Sequence, residues 1–318
     1  MKVVLIGPGY HPIPPVGWGA VETLIWDYYE NLTRRGFDVT IINEKDLNKA
    51  LHICNSLNSD VVHIMYDDYA VLIPHIQTKR ILYTCHFAYI THPDFQSVHR
   101  HYFDKIFKVA FEHQNGITIN AISQEIIDVY RKHGYKGRIN HICNGAREDL
   151  FRFTESPVKG DRSIYIAKVE YRKCQYRYQT IEGIDFVGNY QDSPFIRDAA
   201  NYLGEWNKAT LYDKLTDYGN MILLSEGEAD SLVLKEALMS GLGLVINEKC
   251  KANLDLNKPF ITVIADDKLF DLKYISEKIK ENREYSIAHR TEIREYGTQT
   301  FSWETIVDKY IKTCLTFS

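Results

Sequence analysis

Ser225-Glu226-Gly227-Glu228-Ala229-Asp230-Ser231-Leu232-Val233-Leu234-Lys235-Glu236-Ala237-Leu238-Met239-Ser240-Gly241 is the stretch on which the reading of this chain turns. It follows Met221 to Leu224, an apolar run with the length and composition of a strand buried on both faces. The polar turn ends at Ser231, placed to N-cap an apolar helix over Leu232 to Ser240 that stops near Gly241. A buried strand, a turn and a helix in this order belong to a parallel α/β sheet, in which ligands gather beyond the C-terminal ends of the strands. The backbone amides of Ser231 and Leu232 would then face an anion. Glu228 lies in the turn and Glu236 past the first helical turn, so both carboxylates can reach one ligand at different depths. A plainer reading is equally open here: Glu228 and Asp230 complement a helix dipole, and Glu236 is a solvated helix residue.

The alternation extends in both directions. Short Val- and Ile-rich runs predict strands at Ile164 to Lys168, Ile184 to Gly188, Leu244 to Ile246 and Ile261 to Ile264. Helices are expected between them near Tyr202 to Tyr218 and Ile275 to Asn282. A second series occupies the first half: Val3 to Gly7, Val39 to Ile42, Val61 to Ile64, Ile81 to Thr84, Gly116 to Asn120 and Ile139 to Cys143. The helix after its first strand carries Val21, Leu24, Ile25, Tyr28 and Leu32 on one face and stops at Gly36. The polar, irregular stretch from Phe151 to Arg162 separates the two series and reads as an interdomain linker. Two open α/β domains agree with a length of 318 residues, more than one hydrophobic core accommodates.

Bulk properties exclude several classes. Hydrophobic residues at 45% and charged residues at 25% are ordinary globular proportions. With 42 acids against 38 bases, no basic field exists to hold nucleic acid. The six cysteines form no CxxC pair, so reduced thiols and a cytoplasmic location are expected rather than a zinc or redox site. No run approaches the length of a membrane span, and the start of the chain lacks the features of a secretion signal.

Three further stretches carry candidate chemistry. Pro14-Pro15-Val16-Gly17-Trp18-Gly19-Ala20-Val21-Glu22 is a small-residue loop opening the first helix; Gly17, Gly19 and Ala20 let a backbone approach a phosphate, although a tight strand-to-helix turn explains them as well. It is not a GxGxxG fingerprint, so neither a nicotinamide nor a flavin site follows. Lys168 and Lys173 flank a strand end, where two cations can clamp a diphosphate and stabilise a departing nucleotide, unless they are solvated surface lysines. His86, in Thr84-Cys85-His86-Phe87, follows a buried strand and can meet a sugar hydroxyl. The tandem acids Asp67-Asp68 and Asp266-Asp267 read as ordinary loop residues, and no metal site is expected.

Taken in order, these stretches resemble the retaining family-4 glycosyltransferases, also called glycosyl transferases group 1, over nearly the whole chain. Glu228 and Glu236 match the family's two glutamates with seven residues between them, followed by Ala237-Leu238-Met239-Ser240-Gly241. Ala121-Ile122-Ser123 and Ile142-Cys143-Asn144-Gly145 with Phe151 match segments near the end of the family's first domain. Phe186-Val187-Gly188 and Tyr202-Leu203-Gly204 resemble the strand and loop beside the nucleobase, and Gly17-Trp18-Gly19-Ala20 the glycine-rich phosphate loop, with alanine for one glycine. The family's arginine and lysine are matched by Lys168 and Lys173, its "GR" having become Ala167-Lys168 and its "KG" Lys173-Cys174.

The resemblance implies an α/β GT-B fold, two Rossmann-like domains facing each other across a cleft with a C-terminal helix crossing back. The implied divisions are 1–155 for an acceptor-binding domain, 156–298 for a nucleotide-sugar-binding domain and 299–318 for the returning helix, with Trp303 to Leu315 its amphipathic candidate. It implies a retaining, metal-independent transfer from a UDP- or GDP-type sugar to a carbohydrate or glycan acceptor, with no cofactor beyond the co-substrate. Donor contacts would come from Gly17, Gly19, Ala20, Lys168, Lys173, Leu203, Gly204, Glu228, Ala229, Asp230, Ser231, Leu232 and Glu236. His86, Glu228, Lys168 and Lys173 would carry the chemistry. Apart from the resemblance, the aromatic and histidine-rich stretch Phe87 to Phe95 offers Phe87, Tyr89 and His92 to an acceptor sugar, an aromatic cluster packed under a lid being equally open. The alternatives are a sugar-nucleotide epimerase of the same architecture and a nucleotide-sugar binding protein without turnover; a membrane-bound acceptor has only Arg34 and Arg35 in its favour.

Overall fold

The computed structural model describes all residues except Trp18, His92, Pro93, Asp192, Ser193, Phe317 and Ser318. The chain forms two compact units, Met1–Asn144 with Trp303–Ser318, and Gly145–Ser302.

The first unit is built on a parallel sheet of β1 (Lys2–Gly7), β2 (Asp38–Asn43), β3 (Val61–Ile64), β4 (Ile81–Cys85), β5 (Ile117–Ala121) and β6 (Arg138–His141), in the order β2-β1-β3-β4-β5-β6. Val3, Val4, Leu5 and Ile6 are fully buried in β1, as a central strand covered on both faces requires. Helix α1 (Ala20–Arg34) buries Leu24, Ile25, Tyr28 and Leu32, and Gly36 beyond it takes φ 83°. The terminal helix Trp303–Tyr310, continued by the wider turn Ile311–Leu315, packs on this unit: the Trp303 ring meets Tyr28 edge-on at 4.9 Å, and Tyr310 stacks on His63 at 5.4 Å.

The second unit holds β7 (Lys159–Ile166), β8 (Ile184–Val187), β9 (Tyr218–Leu223), β10 (Gly243–Asn247) and β11 (Ile261–Ile264), all parallel, in the order β11-β10-β9-β7-β8. Helices Leu232–Met239, Leu272–Ala288 and Arg290–Phe301 follow β9 and β11. Among the described residues, no helix is long and apolar enough to cross a membrane.

Three expectations need correction. The stretch from Phe151 to Arg162 is part of the second unit's body: the chain divides after Asn144 rather than 155, and again after Ser302 rather than 298. Phe151 is buried against Tyr212 at 4.9 Å, and β7 already begins at Lys159. The polar composition misled because distant arginines bind this backbone; Arg290 Nε donates to Thr154 O at 2.7 Å and Arg294 Nη1 to Phe151 O at 3.3 Å. The helix expected over Tyr202 to Tyr218 is confined to Lys208–Lys214, capped by Asn207. Before it, Leu203 N donates to Phe186 O at 2.9 Å, so Tyr202 and Leu203 line the edge of β8 instead. Finally, β7 stops at Ile166, leaving Lys168 in the loop beyond.

Candidate functional site

In the second sheet the chain starts at β7 and winds outward to β8 on one side and β9 on the other, so the topological switch lies between β7 and β9. The loops leaving these strands carry the lysines and Glu228, and a single phenol joins them: Tyr165, on β7, donates to Lys173 O at 2.5 Å and accepts Leu224 N at 2.9 Å. Arg172 adds two links, its Nη1 donating to Gly227 O at 2.6 Å and its carbonyl accepting Glu226 N at 2.9 Å.

At this junction Lys173 and Glu228 form a largely buried ion pair. Ser225 also donates its hydroxyl to Glu228 Oε1 at 2.8 Å, and Asn247 fixes the turn by donating to Ser225 O at 2.8 Å. Cys174 adopts φ 57°, the left-handed region that favours glycine, at the position where the resembled family has one. Lys168 is more exposed and pairs with Glu170 at 3.5 Å, not with Glu228 or Glu236. Glu236 is buried and meets Lys208 Nζ at 3.5 Å. Ser231 occupies the N-cap of Leu232–Met239, but its side chain makes no capping bond, so its hydroxyl is not tied to the helix. Asp230 is buried in an ion pair with Lys235, each side chain 1% exposed, so of this residue only the backbone can serve a ligand. Leu203 is partly exposed, and the φ of 75° at Gly204 directs the chain away from β8 toward Lys208–Lys214.

In the first unit His86 comes directly after β4. Its backbone N–H donates to Asp67 Oδ2 at 3.1 Å. Asp67 Oδ1 accepts the phenols of Tyr83 at 2.6 Å and Tyr102 at 3.2 Å. Asp67 is thus no ordinary loop acid: burial pushes its carboxyl up to about 6, against the downward pull of these hydrogen bonds. Burial also lowers the His86 imidazole to about 4, and its Nε2 has no hydrogen-bond partner among the described residues. The Phe87 ring stacks on Tyr102 at 3.8 Å and Tyr89 on His99 at 4.8 Å, so both aromatics expected at the acceptor are engaged with neighbours; His92 lies outside the described residues. Gly19 stands at the N-cap of α1 with φ 133°, next to Ala20, and a Cβ there would come within 2.8 Å of Glu22 Oε2. The small-residue loop therefore borders a carboxylate.

Sequence reasoning missed Asp67, Lys208, Lys235 and Glu22. Asp67 had one usable signal, its place immediately after a central strand beside the switch point of the first sheet. Lys208 and Lys235 had none, because surface and buried lysines look alike in a helix. Among the described residues, no group of three or more His, Cys, Asp or Glu side chains is placed to hold a metal ion.

No protein-family model matches the sequence, and none of the curated proteins matches it. Solved structures do. HepE of Anabaena in complex with UDP-glucose superposes with a TM-score of 0.71 at 14% identity, covering 98% of this chain and 99% of that one. The sucrose-phosphate synthase of Thermosynechococcus elongatus gives 0.72 at 14% identity over 98% and 97%. The lipopolysaccharide outer core galactosyltransferase WaaB in its apo form gives 0.61 at 13% identity over 99% and 100%. The chain has the two-domain α/β fold of these proteins, the GT-B fold.

Proposed function

We propose that this protein is a glycosyltransferase that moves a sugar from a UDP- or GDP-type donor to a carbohydrate or glycan acceptor, retaining anomeric configuration and needing no metal. The observation that carries the reading is the Lys173–Glu228 ion pair, held between the two loops that flank the switch point of the second sheet. A cation and a carboxylate side by side suit the two halves of a nucleotide sugar. Lys173 turns to the diphosphate, and Glu228, released from the pair, accepts a hydroxyl of the transferred sugar. Lys168, half exposed on the same loop, supplies the second positive charge as the nucleotide departs. The amides from Ala229 to Leu232 support the phosphates at a helix N-terminus. Glu236 takes the ribose hydroxyls, and Leu203 and Gly204 border the base. His86, neutral at physiological pH, is the partner of a sugar hydroxyl. HepE, whose fold this chain shares, has been solved with UDP-glucose and with UDP and glucose.

The test is a thermal-shift screen of UDP, GDP and ADP and their sugars, followed by donor turnover. One nucleotide series should stabilise the protein, and Lys173→Ala should weaken its binding about tenfold or more, the equivalent of about 1.4 kcal/mol. No shift with any of these compounds would overturn the proposal. Binding without transfer or hydrolysis would leave a nucleotide-sugar binding protein.

A further inference from the structure

In the first sheet the winding reverses between β1 and β3, so the residues beyond these two strands occupy that unit's own ligand position. Glu22, in the first turn of α1, lies there. It is 4% exposed, and its carboxylate has no hydrogen-bond or ion-pair partner among the described residues. Its Oε2 faces the backbone of Gly19, in the loop that follows β1. Its oxygens are not among the fully enclosed polar atoms that lack a partner, so they remain open to donors from outside the protein. The helix dipole offsets part of the cost of burial, and it cannot satisfy the oxygens.

Tyr66 lies within electrostatic reach of this acid, and Tyr10 lies next to Tyr66. Tyr66, which follows β3, meets the ring of Tyr10, which follows β1, edge-on at 6.1 Å. Tyr10 is 54% exposed, with Lys45 Nζ 5.3 Å from its ring centroid. Burial pushes the Tyr66 phenol up to about 12, with Asp68, Tyr10, Asp67 and Glu22 contributing in turn, so the acids crowd this end of the sheet. A neutral polyol has what the site lacks: hydroxyl donors for the carboxylate and a C–H face for the ring.

We propose that Glu22, together with Tyr66 and Tyr10, is the acceptor-reading site: a sugar ring lies on Tyr10 and its hydroxyls donate to the Glu22 carboxylate. This rests on the glycosyl-transfer reading and assigns its acceptor to residues other than Phe87 and Tyr89. The experiment measures the full-length protein loaded with UDP on an array of neutral, hexose-terminated glycans, alongside calorimetric titration with UDP alone. The wild type should capture a subset of the glycans. Tyr10→Ala and Glu22→Ala should lose about tenfold or more of that binding while UDP affinity stays within about twofold. Should Glu22→Ala fail to fold, the isosteric Glu22→Gln carries the test, with a smaller loss because one acceptor oxygen remains. Glycan capture that survives both changes at Glu22, or a wild type that captures none, overturns the proposal. A tenfold drop in UDP affinity in Glu22→Gln also overturns it and returns the loop to the donor. A wild type that captures glycans through Glu22 but binds no nucleotide diphosphate sinks the transferase reading and leaves the sugar site standing.

Discussion

Asp67 accepts the backbone N–H of His86 at 3.1 Å through one carboxylate oxygen and the phenols of Tyr83 and Tyr102 through the other. The carboxylate thereby ties the loop that starts at His86 to the body of the first unit. Asparagine has the same shape but no charge: its oxygen can keep the His86 amide only with its NH2 turned to the phenols, which must then accept rather than donate, so in Asp67→Asn the charge-assisted bonds are lost. The loop is then held more weakly, and turnover should fall more than donor affinity does, a split that steady-state kinetics with UDP binding measured alongside will show.

The same substitution has a signature in stability. Burial raises Asp67 to about 6 from an ordinary 3.8, so between these values the native state holds a proton that the unfolded chain has lost. Its contribution is complete below about pH 4 and is lost as pH rises through 6, a difference of about 3 kcal/mol for two units. From pH 4.5 to pH 7 the wild type should therefore lose about 2 kcal/mol relative to Asp67→Asn. Denaturant melts of both proteins that run parallel across this range would refute the expectation.

His63 titrates with the opposite sign. It is fully buried, bonded through Nε2 to Thr84 Oγ1 at 2.6 Å and through Nδ1 to the Tyr310 hydroxyl at 3.0 Å, and burial lowers it to about 3. Between that value and the ordinary 6.5 the unfolded chain takes up the proton and the native state does not. The neutral ring is thus fully supportive above about pH 6.5, and the support erodes as pH falls, by about 2 kcal/mol at pH 5. Protonation would break the bond to whichever hydroxyl is the donor, and Tyr310 belongs to the terminal helix. Thermal melts between pH 7 and pH 5 should show a smaller decline in His63→Gln than in the wild type.

What the sequence could reveal was periodicity. Val3 to Ile6, Val61 to Ile64 and Leu244 to Ile246 are buried from end to end, and such runs announce parallel strands whatever surrounds them. The turn from Ser225 to Ser231 was legible because strand, polar turn and helix follow one another locally. Contacts that join distant residues were not. Thr154 and Phe151 look like linker residues until Arg290 and Arg294, from far along the chain, are seen to bind their carbonyls. Lys235 reads as a surface lysine of a helix, yet its ammonium lies buried against Asp230. Glu22 stands in the sequence only as the last residue of the small-residue loop, and only the fold shows that it is buried with no hydrogen-bond or ion-pair partner among the described residues.

Gly188 joins two parts of the candidate donor site. A Cβ on it would come within 1.8 Å of Ala167 O, the carbonyl directly before Lys168, while its own carbonyl accepts the Tyr202 hydroxyl at 2.7 Å. Neither neighbour can yield easily, because one is backbone and the other is held by the edge of β8. Gly188→Ala should therefore displace the Lys168 loop and lower UDP affinity about tenfold or more with a fall in melting temperature. Unchanged binding by calorimetry would show that Lys168 does not depend on this approach.

The Asp230–Lys235 ion pair connects the turn that carries Glu228 to the helix that carries Glu236, and Lys235 Nζ also lies 5.2 Å from the Phe301 ring centroid. With both side chains 1% exposed, the pair has given up its hydration, and its mutual attraction is roughly what offsets that loss. Removing one partner strands the other charge in an apolar setting. Asp230→Leu or Lys235→Met alone should each cost about 3 to 5 kcal/mol of stability, read from denaturant midpoints. Replacing both should restore most of it, since two apolar side chains of similar volume can fill the same space. Single losses that simply add in the double variant would mean that the two residues act independently. If the restored double variant also binds UDP like the wild type, the pair serves only to pack this helix. If it folds but binds weakly, the charges hold Glu228 and Glu236 in register for the donor.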